Sequence, residues 1–290
     1  MLSLPDLAFR LDTIAATPAG EPLPADTEAV TLQLLHRLEK GEVRAAARAE
    51  DGGWTAVPWV KRGILLAFRV GHLVDMSPPG APHGEGGRPF HFIDKHTFRP
   101  RRFEVADGVR IVPGGSAIRR GAHVARGVVC MPPMYINVGA WVDEGTMVDS
   151  HALVGSCAQI GRRVHLSAAA QIGGVLEPVN ASPVVIEDDV VVGGGCGVYE
   201  GTIVRSRAVL GAGVILTRAT RVYDLVHERV LSGSASAPLE IPAAAVVVPG
   251  ARALKGTFAA EHGLSAQTPL IVKYRDDKTD ASTALEAWLR

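Results

Sequence analysis

The stretch Tyr135–Ser167, YINVGAWVDEGTMVDSHALVGSCAQIGRRVHLS, decides the fold. Within it Ile136, Val142, Val148, Val154, Ile160 and Leu166 fall six residues apart. The same count extends back through Cys130, Val124 and Ile118 and forward to Ile172. After a two-residue slip it resumes at Ile186, Val192, Val198, Val204, Leu210, Leu216 and Val222, giving 17 positions of which all but Cys130 are Ile, Leu or Val. Neither a helix nor a simple strand has this period. A solenoid does, if each short strand contributes one inward side chain and then turns a corner. The position four residues after each is usually small or apolar (Ala122, Val128, Ala140, Thr146, Ala152, Ala158, Ala170, Cys196, Thr202, Ala208), as a tapering triangular coil requires. Three hexapeptides make one coil, so the ladder predicts nearly six coils and a prism about 27 Å tall at about 4.8 Å per strand spacing.

Flanking segments lack the repeat. Val30, Leu32, Leu34, Leu35 and Leu38 predict an amphipathic helix over 26–40, closed by Lys40-Gly41. Trp59–Val70 reads as a helix or a buried strand, which periodicity alone does not separate. Ser77–Arg88 is rich in Pro and Gly and reads as loop. The ladder is interrupted at Glu177–Pro183 and again at Leu225–Leu239, before Ile241 and Val247 rejoin it. In the tail, Leu270–Val272 predicts a strand and Ser282–Leu289 a helix, covering a sheet end that would otherwise invite pairing. The expected organisation is a mostly helical domain over 1–105, a parallel β-helix over 106–258 and a strand-plus-helix cap over 259–290, mainly β overall.

Composition narrows the partners. Lys plus Arg and Asp plus Glu balance at 30 each, so no global field draws the chain to nucleic acid or acidic lipid. No apolar run approaches the roughly 18 residues of a spanning helix, and the first residues do not read as a basic region followed by a long apolar run, so a soluble chain is expected. Three cysteines, Cys130, Cys157 and Cys196, lack paired spacing; a reduced, cytoplasmic setting is the simplest expectation.

Tyr135–Ser167, with Ile172–Pro178 (IGGVLEP), closely resembles the tetrahydrodipicolinate N-succinyltransferase family, which carries hexapeptide repeats. Val57–Arg69 (VPWVKRGILLAFR), Asp94-Lys95, Val109–Pro113 (VRIVP) and Val246–Gly250 resemble it more weakly. The resemblance implies a left-handed β-helix, where the usual crossover rule would give a right-handed one. It also implies a homotrimer with sites between neighbouring prisms. The implied reaction is succinyl transfer from succinyl-CoA to tetrahydrodipicolinate, an imino dicarboxylate of the lysine and diaminopimelate route.

The resemblance also assigns residues. Asp149, in VDEGTMVD, matches the catalytic aspartate that holds and deprotonates the amine; the bland reading is a corner residue like Asp143 or Asn137. Arg110, in VRIVP, matches an arginine that grips a substrate carboxylate through paired N–H donors, against an ordinary solvated arginine. Gly173 and Gly174 match a backbone that an acyl chain approaches, or simply turn into the interrupting loop. Lys273, in LIVK, matches a lysine near the coenzyme phosphates, although no phosphate-cradling glycine loop occurs.

One stretch departs from the family. Where it reads Gly-Ala-Arg-Ser-Glu-Val, this chain has Gly193–Val198 (GGGCGV), with Gly195 for the arginine and Gly197 for a glutamate implicated in catalysis. The expectations are a roomier, less charged corner and an altered acyl donor or acceptor. Acetyl-CoA is the alternative donor, as in secondary-metabolism relatives such as the tabtoxin biosynthetic enzyme, and an inactive structural solenoid is the non-enzyme alternative. His123, His151 and His165, spaced 28 and 14 apart, do not fit a zinc site. His151 is a second candidate base, and Cys196 reads as an inward packing residue.

Overall fold

The computed structural model describes residues 1–18, 20–50, 52–77, 92–234 and 237–276; the tail helix expected at 282–289 and most of the loop 77–88 lie outside them. Two-residue strands from Arg110–Ile111 to Ile215–Leu216, joined by Glu240–Ile241, stack in parallel into three walls. Partners are 18 residues apart, as in Trp141 opposite Gln159 and Met147 opposite His165. Each coil therefore takes three hexapeptides, and the prism is a left-handed parallel β-helix. Wall A stacks Val124, Val142, Ile160, Ile186, Val204 and Ile241; wall B stacks Cys130, Val148, Leu166, Val192, Leu210 and Val247; wall C stacks Ile118, Ile136, Val154, Ile172, Val198 and Leu216. All of these inward side chains are buried in one continuous core.

The corners follow from the same period. Three residues past each rung the backbone is commonly left-handed, at Gly121, Gly127, Gly139, Gly145, Gly195, Gly201 and Gly213, but also at His151, Cys157, Arg163, Ala169, Asp189 and Arg207. Glycine adopts that conformation without the penalty a Cβ imposes. At Gly139 the space is also needed: a Cβ would stand 2.9 Å from Ile64 Cδ1 and from Cys157 Sγ.

The first interruption shifts the pairing from 18 to 26, with Gln159 opposite Val185, so residues 173–184 bulge from one corner and the coil closes above them. The second corrects the ladder. Val222 is buried but does not stack on Val204; Ile241 does. The strand Val222–Asp224 pairs instead with Ser265–Tyr274 and with Arg229–Leu231. Spacing cannot separate Val222 from Ile241, because both are apolar and both are inside.

Ser265–Tyr274 contains the expected Leu270–Val272 strand and forms a long antiparallel hairpin with Ala245–Ala253, extending wall B above the last coil. The hairpin and the excursion are tied by buried Asp224, which accepts from Tyr274 Oη (2.8 Å), Arg229 Nε (3.0 Å) and the His227 backbone N–H (3.2 Å). Burial alone would raise the Asp224 pKa, but the bonds from Tyr274, His227 and Arg229 outweigh it and hold the carboxyl well below its usual range.

Three helices cover wall A: α1 (Leu4–Ala15), α2 (Thr27–Glu39) and α3 (Pro58–Val70). The helix expected over 26–40 is α2, and Trp59–Val70 resolves as helix, with Pro58 in the first turn where its missing N–H costs nothing. Helix α1 was not anticipated, although Ser3 caps Asp6 N–H and Leu7, Leu11 and Ile14 share one buried face. The helices bury Leu11, Leu34, Leu35, Val60 and Ile64 together with Val138 and Cys157 of the prism corners. Polar clamps fix the contact. Arg44 Nε donates to Gln159 (3.0 Å) and its guanidinium lies over the Trp141 ring (4.0 Å). The buried Lys61 donates Nζ to Ala181 O (2.5 Å), holding α3 to the first bulge.

Candidate active site

Asp149 follows the inward Val148 at the corner leaving wall B. Its Oδ1 accepts from the Ser150 N–H at 2.7 Å, as Asp143 does from Glu144 and Asn137 from Val138, each at 2.8 Å. One carboxylate oxygen thus does the corner work that the bland reading assigned to this residue. The other, Oδ2, points toward His165 Nε2 at 3.8 Å. The Asp149 side chain keeps 29% of its surface accessible and His165 18%, so the pair is partly exposed on the outside of wall B. His165 sits beside the pair because it stacks one coil above Met147. The 18-residue coil length, applied to Met147, was enough to find it.

Arg110 begins wall B, opposite Val129, and is exposed. Val129 in turn pairs with Met147. Arg110 and Asp149 therefore share one wall, with Arg110 two strand spacings, about 10 Å, below Met147. Lys273 pairs with Val246 at the top of the same wall and lies 3.6 Å from Asp276. Five strand spacings, about 24 Å, separate it from Met147. His151 lies past the Asp149 corner in a left-handed conformation (φ 62°), with its N–H bonded to Pro133 O. His123 stands on wall A, stacked on Trp141. The three histidines thus occupy separate places around the coil.

Gly173 and Gly174 are elsewhere, at the corner leaving wall C where the first bulge starts. They line a cavity of about 600 Å³ with Glu177, Tyr199, Thr217 and Arg218. Here the expectation of extra room fails in part. A Cβ on Gly197 would meet the Tyr199 ring at 2.5 Å (Cε2) and its hydroxyl at 2.8 Å, and a Cβ on Gly173 would meet Cδ1 at 2.8 Å. The Tyr199 ring lies across both glycines and fills the space they leave. Within Gly193–Val198, Gly195 (φ 65°) is the glycine that opens on empty space, with nothing within 4 Å of a Cβ. Cys196 is buried, and burial raises its thiol pKa; burial likewise pushes Cys130 and Cys157 up to about 12. Among the described residues no group of three His, Cys, Asp or Glu side chains could hold a metal ion, and no helix is long and apolar enough to cross a membrane.

A prism of hexapeptide coils with a partly exposed carboxylate at one corner and glycines at another is the framework of a hexapeptide-repeat acyltransferase, the class to which the comparisons assign the chain. Within that class the relationship is specific. Residues 16–70 match the model of the tetrahydrodipicolinate N-succinyltransferase N-terminal region, and 183–218 match the hexapeptide repeat of succinyl-transferase. The chain is 42% identical over 285 residues to the 2,3,4,5-tetrahydropyridine-2,6-dicarboxylate N-succinyltransferase of Nitrobacter hamburgensis, covering 96% of this chain and 94% of the other. It is 43% identical over 280 residues to the protein of that name from Bradyrhizobium diazoefficiens, with the same coverage. A structure from Campylobacter jejuni described as a 2,3,4,5-tetrahydropyridine-2-carboxylate N-succinyltransferase shares the fold. Its TM-score is 0.51 at 16% identity, over 86% of this chain and 63%, less than two thirds, of that one. The chain belongs to the tetrahydrodipicolinate N-succinyltransferase family.

Proposed function

We propose that the chain transfers succinyl from succinyl-CoA to 2,3,4,5-tetrahydropyridine-2,6-dicarboxylate, as a cytoplasmic homotrimer. The observation that carries the mechanism is the division of labour at Asp149, with Oδ1 committed to the corner and Oδ2 left on the partly exposed side toward His165. Once water has added across its C=N bond, the acceptor nitrogen bears a proton. As that nitrogen attacks the thioester carbonyl, Asp149 Oδ2 takes the proton. Collapse of the tetrahedral oxyanion breaks the C–S bond, and the departing thiolate is reprotonated as CoA. Arg110, on the same wall, suits a ring carboxylate through paired N–H donors. The Gly173 and Gly174 backbone suits close approach of the acyl group, and Lys273 the coenzyme's anionic end.

The same placement supports the trimer reading. Asp149 lies at the wall B corner and Gly173-Gly174 at the wall C corner of one prism, so a single chain turns them away from each other. A neighbouring copy with its wall B set against this chain's wall C would bring the two corners together. A shorter acyl group is the second reading, favoured by the Tyr199 ring resting on Gly173. Steady-state turnover with succinyl-CoA and with acetyl-CoA on tetrahydrodipicolinate tests both. Faster succinyl transfer supports the main reading, faster acetyl transfer replaces it with the second, and no transfer from either donor refutes both.

A further inference from the structure

We propose that a polar cavity on wall A, where the helical domain meets the prism, binds a small amino dicarboxylate, a molecule with two carboxylates and one ammonium group. The cavity, about 350 Å³, lies between the hairpin of Ala46–Arg48 with Trp54–Ala56 and the corner where the chain leaves wall A at Asp143, Gly161 and Glu187. That volume is in the range of small-molecule sites. Asp149 belongs to the next corner, leaving wall B, and the cavity lies outside the wall B to wall C contact proposed above. The inference goes beyond acyl transfer and does not depend on it.

The argument starts at Arg44. The centre of its guanidinium lies 4.0 Å from the Trp141 ring and 5.4 Å from the Trp54 ring, which strips water from its faces. Its Nε is spent on Gln159 at 3.0 Å. Among the described residues, Nη1 and Nη2 donate to nothing. Burial pushes the Arg44 pKa down to about 10, although Asp143 and Asp188 lie near enough to oppose the shift. A desolvated cation with an unfilled donor edge is costly. A carboxylate that accepts both N–H groups in parallel is the partner that fits it.

The other charged groups set the ligand's balance. Glu187 is already filled, accepting from Trp54 Nε1 and Arg205 Nη1, each at 3.0 Å, and from the Ser206 N–H at 3.1 Å. Asp143 and Asp188 are not. One oxygen of each is taken by a backbone N–H at 2.8 Å, from Glu144 and Arg162 respectively; among the described residues the second oxygen of each accepts no hydrogen bond. Asp188 is held in place by the space Gly161 leaves, which a Cβ would occupy. Arg48 Nη2 stands 3.8 Å from Glu187 and Arg162 Nε 3.9 Å from Asp143, both beyond hydrogen-bond reach, and both arginine side chains are more than half exposed. Three guanidiniums thus share the cavity with two open carboxylates, an excess of one positive charge. A ligand with two negative groups and one positive group matches it. Arg44 suits one carboxylate, Asp143 and Asp188 suit the ammonium, and Arg48 and Arg162, at the exposed side, suit the second carboxylate.

The test is calorimetric titration of the full chain with L-glutamate, glutarate, L-alanine and L-lysine. L-Glutamate should bind at millimolar concentration or below and raise Tm by mass action. Glutarate lacks the ammonium and L-alanine the second carboxylate, so each should bind about tenfold more weakly; L-lysine, with the opposite charge balance, should not bind. Arg44→Lys keeps the charge and loses the fork, and Asp188→Asn keeps the shape and loses the charge; each should weaken L-glutamate about tenfold. Arg162→Ala, at an exposed side chain, should weaken it several-fold without lowering the Tm of the unliganded protein, and so tests the site even if Arg44→Lys does not fold. Asp149→Asn and Arg110→Ala should leave L-glutamate affinity unchanged. No L-glutamate binding at millimolar concentration overturns the proposal, as does binding of L-lysine or glutarate as tight as that of L-glutamate. Affinity that falls in Asp149→Asn and survives in Arg162→Ala and Asp188→Asn places the ligand on wall B and overturns it as well.

Discussion

Replacing Gly197 by alanine should destabilise the protein through Tyr199, and the size of the effect follows from the geometry. The added methyl would stand 2.5 Å from Cε2, 2.8 Å from the hydroxyl and 2.9 Å from Cζ of the ring. Carbon–carbon contacts settle near 3.5–4.0 Å, so the ring must retreat by roughly 1 Å. It cannot slide sideways without losing its contact over Gly173, where Cδ1 lies 2.8 Å from a would-be Cβ. Overpacking of this kind typically costs about 1–3 kcal/mol. With an unfolding entropy of about 2.1 cal/mol/K per residue over 290 residues, that lowers Tm by about 2–5 °C. Scanning calorimetry on Gly197→Ala, Tyr199→Ala and the double variant isolates the contact: the alanine at 197 should be almost harmless once the ring is gone, a coupling of about 1 kcal/mol or more. An equal drop in both backgrounds, or none in either, would show that Tyr199 does not occupy the glycine's space. By the same reasoning Gly197→Glu should not raise activity unless Tyr199 is shortened as well.

Asp149→Asn should keep the corner bond through its amide oxygen while losing the base, so kcat should fall by about 10²–10⁴ with Tm nearly unchanged; a parallel loss of Tm would assign the residue to the corner alone. Because the Asp224 pKa is depressed in the folded state, its contribution is complete above the unfolded value near pH 4 and is lost only as pH falls through the lower folded value. Asp224→Asn should therefore flatten the acid side of the stability profile, and an unaltered profile down to pH 2 would contradict the linkage. Cys130, Cys157 and Cys196 are all buried with raised thiol pKa values, so a thiol reagent at pH 8 should label none in the native protein and all three in denaturant; rapid native labelling would count against the packing. Lys61→Ala removes the donor to Ala181 O and should cost about 1–3 kcal/mol, read as a lowered denaturant midpoint.

The ladder was legible because a repeating coil converts one structural rule into one spacing. Each rung must present a bulky apolar residue inward, and the same need recurs every six positions with no other solution. Once 18 residues per coil is known, stacking partners follow by addition, which is how His165 could have been placed beside Met147 and Asp149. The rule fails where the chain leaves the prism. Val222 keeps the count but pairs with the cap hairpin, because burial selects an apolar side chain whether the strand above it is a coil or a hairpin.

The site was less legible because its residues answer to more than one demand. Asp149 satisfies turn chemistry with one oxygen, so its residue type alone carries no functional signal; only the direction of Oδ2 does, and direction depends on the coil above. Gly197 is the converse case. A missing side chain reads in sequence as missing bulk, yet a glycine on a flat β-wall also bares backbone on which an aromatic ring can lie, and the ring comes from Tyr199, two positions on and across the corner. Volume absent at one residue is supplied by its neighbour, so the size of this corner is largely kept. An enzyme altered in that way would be expected to differ from its relatives in what it recognises at the glycine corner more than in how tightly its prism is packed.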